Sequence, residues 1–288
     1  MAIIAATKPL KIHLPFYVCD SVIKAIEKAG LTYEFYRIDK QLCCAEELPI
    51  DESEMVLYIN YFGVRTSEIS SMIRGRSQNA IVDNSQAFFA GTCGAAYSFN
   101  SVRKFIGVPD GGFMVGEMTL TDNLMRNSRY SFDHLILKNA GLQNEAYSAF
   151  RRAESMIEYA VMRGSEVSET LLSNINLTNI RTRRNANFVK AHSILSGWNR
   201  LTIPETIDGP LAYPLLLDDV IEVRELHAQG LFIPRYWNDV LVRNDQGDRF
   251  GLERGLVDRL IPIPIDQRYT LLDIQEICTR LIKVLDLD

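Results

Sequence analysis

Two residues in the first half of the chain carry complementary chemistry: Asp83, in IVDNSQAFFA, and Lys104, in YSFNSVRKFIGVPDGG. A carboxylate at a buried strand end needs a cation or hydrogen-bond donors to remain ionised. A lysine beside a second cation, Arg103, in a glycine-bounded loop suits attack on a carbonyl carbon. Ser101 precedes Lys104 by three positions, and a hydroxyl with an arginine nearby can hold a phosphate. Taken singly, each has an ordinary reading. Asp83 is then a helix cap or salt-bridge partner, Lys104 is surface decoration, and Ser-x-x-Lys is a weak pattern. Taken together, they supply an acid for a pyridinium nitrogen, an amine for an imine and hydroxyls for a phosphate. Those are the needs of pyridoxal phosphate. Gly111-Gly112 lets the backbone turn sharply into the next strand.

The elements that must position these groups are legible as an alternation. Lys11–Leu14 reads as a strand ending at Pro15, and Asp20–Ala29 as a helix stopped by Gly30. Thr32–Ile38 alternates and is β-branched or aromatic, so it reads as a strand. Met55–Asn60 is a buried strand, Ser67–Arg74 a helix, and Ala80–Val82 the strand that ends at Asp83. This rhythm predicts an α/β fold with a mostly parallel sheet covered by helices. Ligands of such sheets collect at the carboxyl ends of the strands. Phe16, Tyr17 and Cys19, then Asn60, Tyr61 and Phe62, then Asp83 and Gln86 fall there. Beyond Gly112 the expected elements are a strand at Phe113–Gly116 and helices over Glu145–Arg163 and Leu177–Leu195. Strands at Ala212–Leu217 and Leu231–Pro234 and a helix at Leu271–Leu285 follow. The division expected is a large domain over residues 1–164 and a smaller α/β domain over 165–288.

Composition removes several classes of function. The 288 residues include 31 basic and 36 acidic side chains, net −5, which is no footprint for nucleic acid. The cluster Arg181, Arg183 and Arg184 lies in a helical pattern and reads as a solvated face. No apolar run approaches the roughly 20 residues of a membrane span. The N-terminus does not read as a signal peptide. Five cysteines, with Cys43 and Cys44 vicinal, and four scattered histidines give no metal-ligand spacing. Free thiols in a reducing cytoplasm are the simplest expectation.

Four segments resemble the DegT/DnrJ/StrS group of sugar aminotransferases, which are fold-type-I pyridoxal phosphate enzymes. LPFYVCDSVIKAIEKAG is similar to the family's proline-led strand end with its helix and glycine. VLYINYFGV resembles its VHLYG strand. IVDNSQAFFA resembles its E-D-A-A-Q/H-A-x-G segment, and SFNSVRKFIGVPDGG its S-F-H-x-T-K-x-x-x-x-G-E-G-G segment. The spacing from Lys104 to Gly111 follows that last pattern. The likeness is close over residues 10–118 and broad beyond.

The resemblance implies a three-layer sandwich, with the smaller C-terminal α/β domain, acting as an aminotransferase. It makes Lys104 the imine-forming lysine, Asp83 the partner of the pyridine nitrogen and Gln86 a neighbour of the cofactor's phenolic oxygen. The phosphate serine of the family falls at Phe99 here, so Ser98, Ser101 or Asn100 must serve, with Ser101 preferred. The ring-stacking position falls on Cys19, with Phe16 or Tyr17 as substitutes. Arg268, in PIDQRYT, is a candidate for the amino donor's carboxylate, and Tyr61, Tyr236 and Trp237 for the substrate pocket. Tyr130 and His134 are candidates for a site shared between subunits. The implied partners are an amino acid donor and a keto sugar nucleotide, in a homodimer.

Family members carry a much longer segment before the equivalent of Pro15, with a glycine turn that cradles the phosphate at a helix N-terminus. Only 14 residues precede Pro15 here, so a shortened chain is expected, one that lacks those donors. A non-catalytic homologue that keeps the fold as a subunit or binding module is the alternative. A generic nucleotide-binding α/β domain is the third reading. No GxGxxG follows a strand and no Walker loop is present to support it.

Overall fold

The computed structural model describes residues 1–118, 123–244 and 247–287. The first part runs α1 (Ala2–Thr7), β1 (Lys11–Pro15), α2 (Asp20–Lys28), β2 (Thr32–Tyr36), β3 (Glu54–Ile59) and α3 (Thr66–Met72). It continues with β4 (Ala80–Asp83), β5 (Tyr97–Phe99) and β6 (Met114–Gly116). Helices α4 (Asp133–Asn139), α5 (Gln143–Ser155), α6 (Glu166–Ser173) and α7 (Leu177–Leu195) follow, then β7 (Ala212–Leu216). The chain closes with α8 (Val223–Ala228), α9 (Asp239–Val242), α10 (Gly251–Arg259), β8 (Leu260–Pro264) and α11 (Leu271–Val284).

Strands β1 to β6 form one sheet in the order β2-β1-β3-β4-β5-β6. All pairs are parallel except β5–β6. The chain leaves β1 toward β2 and then returns through β3 toward β4 and β5. Right-handed crossovers in opposite directions put α2 and α3 on opposite faces. The central strands are therefore covered twice, which is why Met55–Ile59 is continuously buried rather than alternating. The reversal makes the carboxyl ends of β1 and β3 the switch point of the sheet, where ligands of such folds collect.

A second, two-stranded antiparallel sheet joins β7 to β8. Helices α7 and α11 pack against each other. One apolar core runs through both sheets, from Leu14, Val56 and Val82 to Phe188, Tyr213, Ile263 and Leu281. A smaller cluster of Val102, Phe105, Ile106, Val108 and Ile180 seats the Lys104 loop on α7.

Three expectations are corrected. Arg184 is not on a solvated face: it is 1% exposed, on the inner stripe of α7 with Ile180, Asn187, Phe188 and Ala191. Its Nη1 donates to Pro210 O and Leu211 O at 3.0 and 3.1 Å, and its guanidinium lies over the Phe105 ring. Leu231–Pro234 forms no strand. The Leu231 N–H closes α8 on Leu226 O, and the Ile233 N–H turns back to Leu231 O, so those donors are spent locally. The helix expected to reach Arg163 ends at Ser155. The chain then runs back so that Arg163 N donates to Met125 O and Asn127 N donates to Arg163 O, in a short bridge at Arg126.

Asp110 ties the end of the Lys104 loop to α6. Its carboxylate accepts from Asn127 Nδ2 (2.8 Å), Ser165 N (2.8 Å), Ser165 Oγ (2.6 Å) and Ser168 Oγ. Burial pushes this carboxyl up, but the bonds from Ser165, Ser168 and Asn127 outweigh it and hold it below the ordinary value. A carboxyl depressed in the folded state stabilises above its unfolded pKa and loses that contribution as pH falls through the folded one. Asp110→Ala is therefore expected to lose about 2 kcal/mol in urea denaturation at pH 7. The gap to wild type should narrow steadily as pH falls below about 4.

Candidate active site

Strands β1, β3 and β4 end side by side, and the residues just beyond them form the floor of the site. Ile59 pairs with Asp83, and the Asn60 N–H donates to Asp83 O at 3.0 Å. Beyond them a small polar scaffold fixes the backbone. Asn60 Nδ2 donates to Asn84 Oδ1 at 3.1 Å, Asn84 Nδ2 to Gly91 O at 2.8 Å, and Phe62 N to Gln86 Oε1 at 2.7 Å. Gly63 has φ +80°, and a Cβ there would stand 2.9 Å from Gln86 O and 3.1 Å from Pro210 Cα. The turn after β3 can approach both only as glycine.

Lys104 ends a single turn of 3-10 helix, Val102–Lys104, five residues beyond β5. The loop that carries it is closed like a hairpin. Asn100 N bonds Phe113 O, Val102 N bonds Gly111 O, and Phe113 N bonds Asn100 Oδ1. Gly111 has φ +105°, and a Cβ on Gly112 would lie 2.4 Å from Asn100 O, so both positions demand glycine. Gln267 braces the loop from the C-terminal part: its Nε2 donates to Phe105 O at 2.8 Å, and its Oε1 accepts from Arg184 Nε.

Asp83 is 7% exposed and accepts from Ser85 N at 2.8 Å. Burial pushes its carboxyl above the usual carboxylate range, and the positive charge of Lys104 and the Ser85 donors pull it partway back. The Lys104 side chain is exposed and enters no ion pair among the described residues. The two residues read from the sequence as a chemical pair thus stand within electrostatic range of one another.

The other candidates divide. In β5, Phe99 is opposite Asp83, so Phe99 shares its face of the sheet while buried Ser98 points to the other. Half-buried Ser101 lies two residues further on, at the entry to the Lys104 turn. Gln86 is buried under the Phe62 turn. Tyr17 and Tyr61 are both 1% exposed, with ring centroids 5.8 Å apart. Tyr61 Oη donates to Tyr17 O at 2.6 Å, and burial pushes both phenols up. Phe16 is fully buried, stacked on Phe250 at 4.1 Å. Cys19 caps α2 and accepts from Ser21 Oγ.

Arg268 makes a two-point ion pair with Asp266, at 2.7 and 2.8 Å, on the loop that braces Phe105. Tyr130 lines a cleft with Arg103 and Gly111. His134 sits beside Phe150, and its buried Nδ1 has no hydrogen-bond partner among the described residues. Sequence reasoning did not single out Asn84, Gln267 or Arg243 for this site. Arg243 bonds the turn after β1 from the far end of the chain, and only a three-dimensional contact reveals it.

No family profile and no curated protein matches this sequence. Solved structures do. Spr1654 of Streptococcus pneumoniae, described as a sugar aminotransferase, superposes with a TM-score of 0.66 at 12% identity, over 98% of this chain and 84% of its own. PseC of Helicobacter pylori, an aminotransferase involved in pseudoaminic acid biosynthesis, gives 0.60 at 12%, over 97% and 80%. DesI, solved in the presence of its TDP-sugar product, gives 0.64 at 11%, over 98% and 77%. The chain therefore has the fold of the DegT/DnrJ/EryC1/StrS sugar aminotransferases over nearly its whole length.

Asp83 carries a stability cost that can be measured. A carboxyl raised in the folded state contributes its full stability only below its unfolded pKa and loses it as pH rises through the folded one. Asp83→Asn keeps the acceptor for Ser85 N and removes the buried charge. The variant should be at least as stable as wild type at pH 7 in urea denaturation. Its advantage should disappear below about pH 4.

Proposed function

We propose that the chain is a pyridoxal-phosphate-dependent aminotransferase that carries an amino group from an amino acid to a keto sugar nucleotide. The observation that carries this reading is the pairing of buried Asp83 with Lys104 at the carboxyl ends of adjacent strands in this sheet. The donor set fits the cofactor: a carboxylate for its ring nitrogen, a free amine for its aldehyde, and hydroxyls for its phosphate. When bound, pyridoxal phosphate supplies an electron sink for the carbon that carries the amino group.

The chain's residues then do the following. Asp83 holds a proton at the ring nitrogen, a role its burial and the Lys104 field both tune. The Lys104 amine would anchor the cofactor, and its Nζ would be the group that moves a proton there. Gln86 would hold the ring oxygen, Ser101 the phosphate in place of Ser98, which faces away from Asp83, and Tyr17 with Cys19 the ring face. Arg268 exchanges Asp266 for a substrate carboxylate, and Tyr61 borders the substrate. Support for a nucleotide-bound sugar comes from the fold shared with DesI, whose structure contains a TDP-sugar.

A homodimer completes the proposal. Large exposed side chains crowd residues 113–157, including Phe113, Val115, Ile136, Tyr147, Phe150 and Met156. Exposed apolar side chains of this size are the ones a partner subunit would cover. Sedimentation velocity should give twice the chain mass, and Tyr147→Glu with Ile136→Glu should shift it to monomer. All five cysteines are unpaired and no helix among the described residues is long and apolar enough to cross a membrane. Both facts accord with a cytoplasmic setting.

The decisive experiment adds pyridoxal phosphate, reduces with borohydride and maps the labelled peptide. Wild type should carry the label on Lys104. Lys104→Ala should fold and carry none, and Asp83→Asn should bind cofactor but lose transamination by at least a hundredfold. A labelled Lys104→Ala protein overturns the assignment. A wild type that binds no cofactor supports the non-catalytic alternative.

A further inference from the structure

Residues 236–243 form a strap across the turns after β1 and β3. The Tyr236 ring stacks on Phe62 at 5.9 Å, and Trp237 meets Tyr17 edge-on at 4.7 Å and Tyr61 at 5.8 Å. Trp237 has φ +55°, a left-handed conformation that a bulky side chain rarely adopts. Such a backbone persists where its surroundings hold it.

The hold is at the other end of the strap. Arg243 Nη1 donates to Phe16 O, and its Nη2 donates to Val18 O at 2.8 Å and to Asp20 Oδ1 at 2.6 Å. The guanidinium lies over Phe16 at 5.3 Å and Phe35 at 5.5 Å. Arg254 donates to Arg243 O at 3.0 Å and also covers Phe16. The side chain of Arg243 is 8% exposed. A planar fork that meets two carbonyls and a carboxylate while stacking on two rings is a task a lysine cannot perform.

We propose that Arg243 is a positioning residue. It locks the strap onto the turn after β1, so that Tyr17, Tyr61 and Trp237 stand as a fixed aromatic wall beside Asp83. The identity of the group this wall contains rests on the function proposed above; the lock itself does not. With the lock in place the wall is preorganised, and the ordering cost is met in folding rather than in binding. Without it, the strap lifts and the turn after β1 loses the partners of two carbonyls.

The test uses the full chain in a Trp198→Phe background, which leaves Trp237 as the sole tryptophan. Two quantities are measured: iodide quenching of Trp237, and the dissociation constant for pyridoxal phosphate by quenching of the same fluorophore. Arg243→Gln and Arg243→Lys should both raise the iodide quenching constant at least twofold. Both should weaken cofactor binding at least tenfold, with unchanged far-UV circular dichroism. Asp20→Asn, which removes one acceptor only, should give a smaller change in the same direction. It serves as the test if the Arg243 variants do not fold. Arg235→Gln, just outside the strap and bonded to Asp258 and Ile221 O, should change neither quantity more than twofold. Unaltered quenching in Arg243→Gln, or equal effects of Arg235→Gln, overturns the lock. A wild type that binds no pyridoxal phosphate overturns the functional reading instead, and the iodide result then judges the lock alone.

Discussion

A guanidinium taken out of water must find an acceptor for nearly every N–H it carries, and this fold is organised around that demand. Arg65 and Arg184 are buried, the Arg243 side chain is nearly so, and each braces segments distant in sequence. Arg65 donates to Gln41 O and Thr202 O. Arg184 reaches Pro210 O, Leu211 O and Gln267, which in turn holds the Lys104 loop. Arg243 grips the turn after β1. Most of these acceptors are backbone carbonyls of turns, groups that no strand or helix satisfies. The same contacts therefore serve the loops' carbonyls and many of the cations' donors, although Arg65 Nη2 is buried with no partner among the described residues. Burial of the two central cases is deep enough that Arg184 is pulled down to about 10 and Arg65 is lowered too.

Against these cations stands Asp83, a buried carboxyl at the end of β4. Asp83 costs stability in its ionised form, and Lys104 only partly offsets the cost. A group that folds poorly and persists at a crevice is the kind of compromise associated with sites rather than with cores. The polar lattice of Asn60, Asn84 and Gln86 has the complementary role. Its side-chain bonds tie two neighbouring turns together, in addition to the backbone bonds that form each turn.

Much of this was legible in the sequence because it is local. The strand–helix rhythm of the first hundred residues, the helix at Leu177–Leu195 and the strand ending at Asp83 follow from period and from flanking glycine or proline. Asp83 and Lys104 were readable as a chemical pair because one ends a strand and the other follows the next strand in a short loop. What was not legible depends on distant partners. The charge of Arg184 suggested solvent, and only the packing of α7 on the Phe105 loop shows otherwise. Leu231–Pro234 has strand-like residues, but its donors are consumed by the end of α8. The sharing of faces in β5, which separates Ser98 from Asp83, depends on register, and register is not written in a three-residue strand.

The span between Phe16 and Arg243 is 227 residues. On a ribosome the first strand emerges long before its clamp exists, since synthesis proceeds at roughly 5–20 residues per second. The sheet can assemble early from neighbouring strands, but the turn that walls its crevice stays unfastened until most of the chain is made. A nascent chain stalled before Arg243 would hold its strands in order and its crevice open.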